Sequence, residues 1–318
     1  MTRALRYIPF SLNQTGQSII TNQTLPKGED MIRVILVSLA FFLGFNYQEA
    51  VAKEKATFAA FNYPFLCDVD GKGVYSDIVQ AAFEAVNIET EVEVLPIRRG
   101  LKYFWSNLCD LYFTYTNVPK EDWEKIDWVD TMGVMVGWFY YKSRHKDFKY
   151  RSSDDLKGYR VATLDNGYLL DFHKKNGLTL YLVHNPTQQI KLLEDGHVDF
   201  FDAAVSTTLL ELNKQFPDIK HKFSYIEFTS LLIGPCFLKN NDRSRELKKQ
   251  FEKGISIIKA NGTYMEIMES YWGKGNVPQS ALTNDLKQYG VKEPDIELFH
   301  KRKRNPWGRI IKNQATQE

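Results

Sequence analysis

A pair of arginines, Arg98-Arg99, heads the side chains in this 318-residue sequence whose chemistry suits holding a small polar molecule. A guanidinium presents a rigid fork of donors that matches a carboxylate or a phosphate. Arg99 is the first choice for that role and Arg98 the alternative; the plainer reading is a solvated arginine at a helix start. Tyr63 and Phe65 flank Pro64 on a loop. An aromatic face there can stack on a ligand or hold a cation, or it can plug the core beneath the loop. Tyr115 and Thr116 close an aromatic-rich segment. Asn166, Gly167 and Tyr168 precede a helical stretch, where free backbone amides suit an anionic group, the alternative being a simple turn and cap. Asp202 can accept from a ligand ammonium or stand as a buried acid held by hydrogen bonds. Trp128 and Trp138 read as hinge packing rather than cleft walls.

Other chemistries find little support. The sequence has no GxSxG, P-loop or GxGxxG motif, and its six histidines show no paired metal spacing. Asp68-Val69-Asp70-Gly71 begins like a calcium loop, but the later acidic ligands are missing, so it reads as a turn. No metal and no cofactor are expected. An enzyme would need a general acid or base, for which Asp165, Asp202 and His184 are the candidates; nothing in the sequence marks one as activated, and binding without chemistry is the expectation. Three cysteines, Cys67, Cys109 and Cys236, are too few for a disulfide framework, though a Cys67–Cys109 bridge is open in an oxidising compartment. The formal net charge of +2 gives no field that favours nucleic acid. Residues 274–318 carry nine Lys/Arg against five Asp/Glu. That excess, with Lys301-Arg302-Lys303-Arg304, reads as a solvated basic tail.

The elements that must position these groups begin after a leader. Residues 31–52 run from Met31 and one Arg through a twelve-residue apolar stretch to Ala50-Val51-Ala52, the order of a secretory signal with a small-residue cleavage site. The apolar run is too short for a membrane span, which needs about 20 residues. Residues 1–30 read as an upstream extension. Beyond the signal, strands are expected at 57–62, 91–95, 110–115, 132–141, 159–164, 180–183, 198–203 and 231–239. Helices are expected from Ser76, over 99–107, after Asn166, from Thr187 to Glu194, from Ser244, and from Thr263 with Glu266 as a capping box. Strands alternating with helices imply an α/β fold. Because ligands bind at the carboxyl ends of such strands, the loops after Asn62, Tyr115, Leu164 and Ala203 should surround one cleft.

The order of segments over roughly 56–273 resembles extracellular solute-binding protein family 3, the type 2 periplasmic binding proteins that include polar-amino-acid binders of ABC importers. The resemblance rests on Tyr63-Pro64-Phe65 with Asp70-Gly71, on Asp154-Asp155-Leu156-Lys157-Gly158, on Leu192-Leu193-Glu194-Asp195-Gly196-His197-Val198-Asp199, and on Ile258 to Tyr264 with Tyr271-Trp272-Gly273. It implies a two-lobed α/β body: two mixed sheets flanked by helices and joined by a two-strand hinge. Lobe 1 is expected over 56–141 and 235–273, lobe 2 over 142–234. Against the family pattern, Thr116-Asn117-Val118-Pro119-Lys120-Glu121-Asp122 holds no Arg where amino-acid binders clasp a carboxylate, and the position that receives the ligand amino group falls near Ala204, with Asp202 on the same strand face. Divergent members carry Pro-x-x-Arg, as in Pro96-Ile97-Arg98-Arg99. The implied partners are a small polar, anionic or amino-acid-like solute and an ABC permease. A periplasmic monomer is expected, without nucleic acid and without membrane insertion after signal cleavage.

Overall fold

The computed structural model describes residues 53–282 apart from Asn166; the expected signal segment, the extension before it, Asn166 and the tail past 282 lie outside the described residues. The first apolar run forms β1 (Glu54–Ala60), whose Ala56, Phe58, Ala59 and Ala60 are wholly buried. It pairs in parallel with β2 (Ile88–Val94) and β3 (Leu111–Tyr112). Strands β4 (Ile126–Trp128) and β10 (Cys236–Leu238) complete the first sheet in the order β2-β1-β3-β10-β4, β10 running antiparallel to both neighbours. Around it stand α1 (Val74–Glu84), α2 (Ile97–Trp105), α6 (Asp242–Ala260) and α7 (Thr263–Trp272). The stripe Tyr75, Ile78, Val79, Ala82 and Phe83 of α1 is buried, and Phe83 meets Phe251 of α6 at 5.2 Å between rings.

The second sheet has the order β7-β6-β8-β5-β9, from β5 (Met132–Tyr141), β6 (Arg160–Leu164), β7 (Thr179–Val183), β8 (Phe200–Ala204) and β9 (Phe223–Ile233). Its helices are α3 (Leu170–Lys175), α4 (Pro186–Glu194) and α5 (Val205–Gln215). Side chains alternate along β5: Trp138 and Tyr140 join the large core cluster that continues from the first sheet, whereas Phe139 and Tyr141 face a second cluster with Ile190, Leu193 and Phe201.

Several expectations need correction. The run 132–141 belongs to the second sheet throughout, because β5 pairs antiparallel with β8 and β9, so the lobes meet near 129–131 and 234–235 rather than at 141/142. The strand expected at 110–115 is two residues long, since the chain turns into a 3-10 helix at Tyr115–Asn117. Helix α5 was not foreseen. Caps also shift: Asn185 and Asn241 cap α4 and α6 through their side-chain oxygens, and glycines precede α1 and α7. The hydroxyls expected to cap are engaged elsewhere. Ser76 donates to the Gly73 carbonyl and Thr187 to Glu211, while Ser244, expected to start α6, donates to the Asp110 carbonyl. Cys67, Cys109 and Cys236 are free and buried, and burial pushes the Cys67 and Cys109 thiols up to about 12. The start of the basic tail, with a 3-10 turn at Gln279–Ala281, packs on β5 and buries Ala281 and Leu282.

The two sheets are joined by adjacent crossings at 129–131 and 234–235. The Val129 N–H donates to the Pro235 carbonyl (3.3 Å) and the Thr131 N–H to the Ile233 carbonyl (2.8 Å). The Thr131 carbonyl accepts from the buried Tyr264 hydroxyl at 2.9 Å. A Cβ at Gly234 would lie 1.8 Å from the Val129 carbonyl oxygen, a backbone atom with no freedom to step aside. Gly234→Ala is therefore expected to destabilise the protein by at least about 1–3 kcal/mol, the usual range for overpacking. Urea denaturation checks this; an unchanged midpoint would contradict the close crossing.

Candidate functional site

The loop carrying Tyr63 is fastened before it reaches the cleft. The Tyr63 N–H donates to the Cys67 carbonyl and the Tyr63 carbonyl accepts from Leu66 and Cys67, all at 2.9–3.0 Å. Phe65 takes a left-handed φ of 64°, and its carbonyl accepts from Val74 at 2.8 Å, tying the loop to the first turn of α1. A Cβ at Gly73 would sit 2.5 Å from the Leu66 carbonyl, so only glycine lets the two segments meet. Tyr63 then projects across the gap, where its hydroxyl accepts the Ala204 N–H at 2.9 Å. Burial pushes the Tyr63 hydroxyl well above the ordinary tyrosine range.

On the same side, the 3-10 turn at Tyr115–Asn117 divides its side chains. Tyr115 turns inward and stacks on Trp128, with ring centroids 4.5 Å apart. Thr116 faces the cleft, its hydroxyl 3.1 Å from that of Thr114. From the second sheet, Gly167 donates to the Leu164 carbonyl (2.9 Å) and begins the turn that presents Tyr168, whose hydroxyl is pushed up by burial. Asp202 stands on β8 opposite Trp138. Its Oδ2 lies 3.7 Å from Nε2 of the fully buried His173, and its Oδ1 has no hydrogen-bond partner.

These groups enclose a cavity of about 90 Å³ lined by residues of both sheets, Tyr63, Thr116, Tyr168 and Asp202 among them. Two larger open hollows flank it. One, of about 710 Å³, is lined by Thr116, Asn117, Gly167, Tyr168 and Lys174; the other, of about 560 Å³, by Asn62, Arg98, Asp165 and His184.

Thus Tyr63, Thr116, Gly167, Tyr168 and Asp202 reach the cleft or its mouth. Arg98, Asp165 and His184 line the smaller flanking hollow, whereas Arg99, Phe65, Tyr115, Trp128 and Trp138 line none of these spaces. Arg99 is exposed and lines none of these spaces, whereas Arg98 one place earlier reaches Asp165 Oδ1 at 3.2 Å across the gap. Phe65 is buried beneath the Lys214 ammonium, 4.6 Å above its ring. Trp128 packs on Tyr115, and the fully buried Trp138 stacks on Phe228 at 4.6 Å. Asn166 is outside the described residues. Sequence reading missed Phe61, Asn117 and the Ala204 amide. Phe61 lies within the strand expected over 57–62, and its place two residues before Tyr63 is the available signal. Among the described residues, no group of three or more His, Cys, Asp or Glu is placed to hold a metal ion.

No family model matches the chain, and no curated protein matches it in sequence. Solved structures match in fold. The GluR0 ligand-binding core from Nostoc punctiforme in complex with L-glutamate is 15% identical, covering 69% of this chain and 99% of that one, with a TM-score of 0.57. An ancestral arginine-binding protein bound to arginine is 19% identical over 69% and 98% of the two chains, TM-score 0.57. A histidine kinase sensor domain with similarity to periplasmic binding proteins is 16% identical over 72% and 98%, TM-score 0.59. The chain has the two-lobed α/β fold of type 2 periplasmic binding proteins: β1–β4 and β10 form one lobe, β5–β9 the other. No helix among the described residues is long and apolar enough to cross a membrane.

Direct contacts thus hold the lobes together. Tyr63→Phe removes the hydroxyl that accepts from Ala204, a bond worth about 1 kcal/mol net. It should shift the closed-to-open ratio about fivefold toward open, seen as a larger radius of gyration by small-angle scattering; an unchanged radius would contradict this. Arg98→Ala should do less, since the pair is exposed and screened by salt.

Glu211 on α5 supplies a second check. Its carboxyl is raised above the ordinary glutamate value by burial, against the Thr187 hydroxyl that donates at 2.6 Å and with the nearby Asp68 charge acting in the same upward direction. A carboxyl raised in the fold contributes stability that is complete below its unfolded value and is lost as pH rises through its folded value. Glu211→Gln should therefore exceed the native chain in thermal midpoint at about pH 8, the gap shrinking toward about pH 4. A gap independent of pH would contradict it.

Proposed function

We propose that this chain is an exported solute-binding protein that closes around a small polar molecule and releases it unchanged, serving ABC-type uptake or sensing. The observation that carries this reading is the shared lining of one cavity. Tyr63 and Thr116 come from the first lobe, Tyr168 and Asp202 from the second, and the lobes connect through two adjacent crossings. A solute touching both halves makes its full set of contacts only in the closed form, so it shifts the equilibrium by its differential affinity for closed over open.

The lobes already touch through Tyr63–Ala204, Arg98–Asp165 and Lys214–Phe65. Closure before binding lowers the rearrangement a ligand must drive, while entry requires those contacts to part. Support for the binding class also comes from the solved structures of similar fold, described as bound to glutamate or arginine or as a sensor domain. The signal-like order of residues 31–52 supports export, and we read the exported chain as a periplasmic monomer serving a separate permease or sensor.

The test is to release small molecules from the purified protein by denaturation, identify them by mass spectrometry and add each back. At a hundred times its dissociation constant the true ligand should stabilise the protein by about 2.7 kcal/mol and reduce the radius of gyration, and Tyr168→Ala should lose most of that gain. The ligand should be recovered at unchanged mass. Absence of compaction with every molecule returned would overturn the reading, and a product of new mass would point to an enzyme.

A further inference from the structure

The central cavity between the lobes, unlike the two hollows that flank it, is electrostatically one-sided. Among the described residues that line it, Asp202 is the only charged side chain, and no Lys, Arg or His is present. The Asp202 side chain is 10% exposed and its Oδ1 lacks any hydrogen-bond partner. A buried carboxylate oxygen left open is costly and calls for a partner. His173 does not supply one, since its Nε2 lies 3.7 Å from the other oxygen, beyond hydrogen-bond reach. The rings of Phe61, Tyr63, Phe113 and Tyr168 line the same space. Ring faces carry negative potential and attract cations.

Cationic donors that would welcome an anion are absent from the lining of this cavity. Arg98 is held by Asp165 beside the outer hollow, and Arg99 points to solvent. The Ala204 N–H, just before α5, is given to Tyr63. A ligand carboxylate would face one carboxylate and four rings with no cation to meet it. An ammonium would complete Oδ1 with a charge-assisted hydrogen bond and rest against the rings. The cavity is small, about 90 Å³, which favours a compact group against Asp202.

Resting on the solute-binding reading above, we infer that the solute is a small organic cation, a primary or methylated amine without a carboxylate, held by Asp202 Oδ1 and the aromatic lining. This replaces the anionic or zwitterionic solute that Arg99 had suggested.

Calorimetric titration of the full chain with ethanolammonium and trimethylammonium chlorides, against glycine and sodium propionate as compact zwitterion and anion, tests it. At least one cation should bind tenfold or more tightly than glycine or propionate. Asp202→Asn should weaken that binding at least tenfold, while Asp171→Asn, in the lining of the hollow of about 710 Å³, leaves it unchanged. Should Asp202→Asn fail to fold, Phe61→Leu removes a ring face and should weaken the cations several-fold. Tighter binding of glycine or propionate, or cation binding that survives Asp202→Asn, would overturn the assignment while leaving solute binding intact. If none of the four binds, the charge of the co-purified molecule decides: an amine without a carboxylate supports the inference, and any carboxylate overturns it. If nothing at all binds or compacts the protein, the solute-binding reading itself falls.

Discussion

Two backbone segments lying side by side, 129–131 and 234–235, are the constraint on which the rest of this structure depends. The strands that begin or end at those crossings bring Val134, Leu231 and Ile233 to the cleft lining. Gly234 touches the Val129 carbonyl, and the Gly234 carbonyl in turn accepts from Tyr115 (3.4 Å), which fixes the turn presenting Thr116. Thr131 is buried beneath the Tyr264 hydroxyl. The joint is therefore locally tight, and motion between lobes must come from small dihedral changes spread over a few residues at the element ends.

The cleft itself balances attraction between lobes against room for a guest. Tyr63 spans it, Arg98 bridges its edge, and Lys214 rests over Phe65. None of these is strong alone: one neutral hydrogen bond, one exposed ion pair and one cation–ring contact each contribute about 1 kcal/mol or less. Together they hold the lobes in contact yet are weak enough to part. The central cavity carries Asp202 as its charged side chain, whereas the flanking hollows mix both signs, Glu121 and Asp171 with Lys174 and Lys175 in one and Asp165 with Arg98 in the other.

The architecture was legible in the sequence because burial writes itself into periodicity. The all-apolar β5 and the α1 stripe read clearly. Helix α5 escaped because its buried face carries Thr207, Thr208 and Glu211 beside Val205 and Leu212, which breaks the apolar pattern. Ser76 and Thr187 read as caps but bond elsewhere, because a hydroxyl has two uses and the sequence does not show which partner is near. At the site, errors were of one residue. Arg98 and Arg99 differ by about 100° around α2, and only one faces the gap. Tyr115 and Thr116 exchange faces when a strand becomes a 3-10 turn. The strand face that carries Asp202 was readable from alternation alone; the Ala204 amide was not, because a backbone donor has no letter.

The central claim is that the lobes move relative to one another about those crossings. Fluorophores attached at Lys102→Cys on α2 and Lys191→Cys on α4, both exposed positions in a chain whose native cysteines are buried, would report the distance between lobes by single-molecule energy transfer. Two interconverting populations are expected, with the closed one enriched by the co-purified solute. A single fixed distance, unmoved by any solute, would contradict the account.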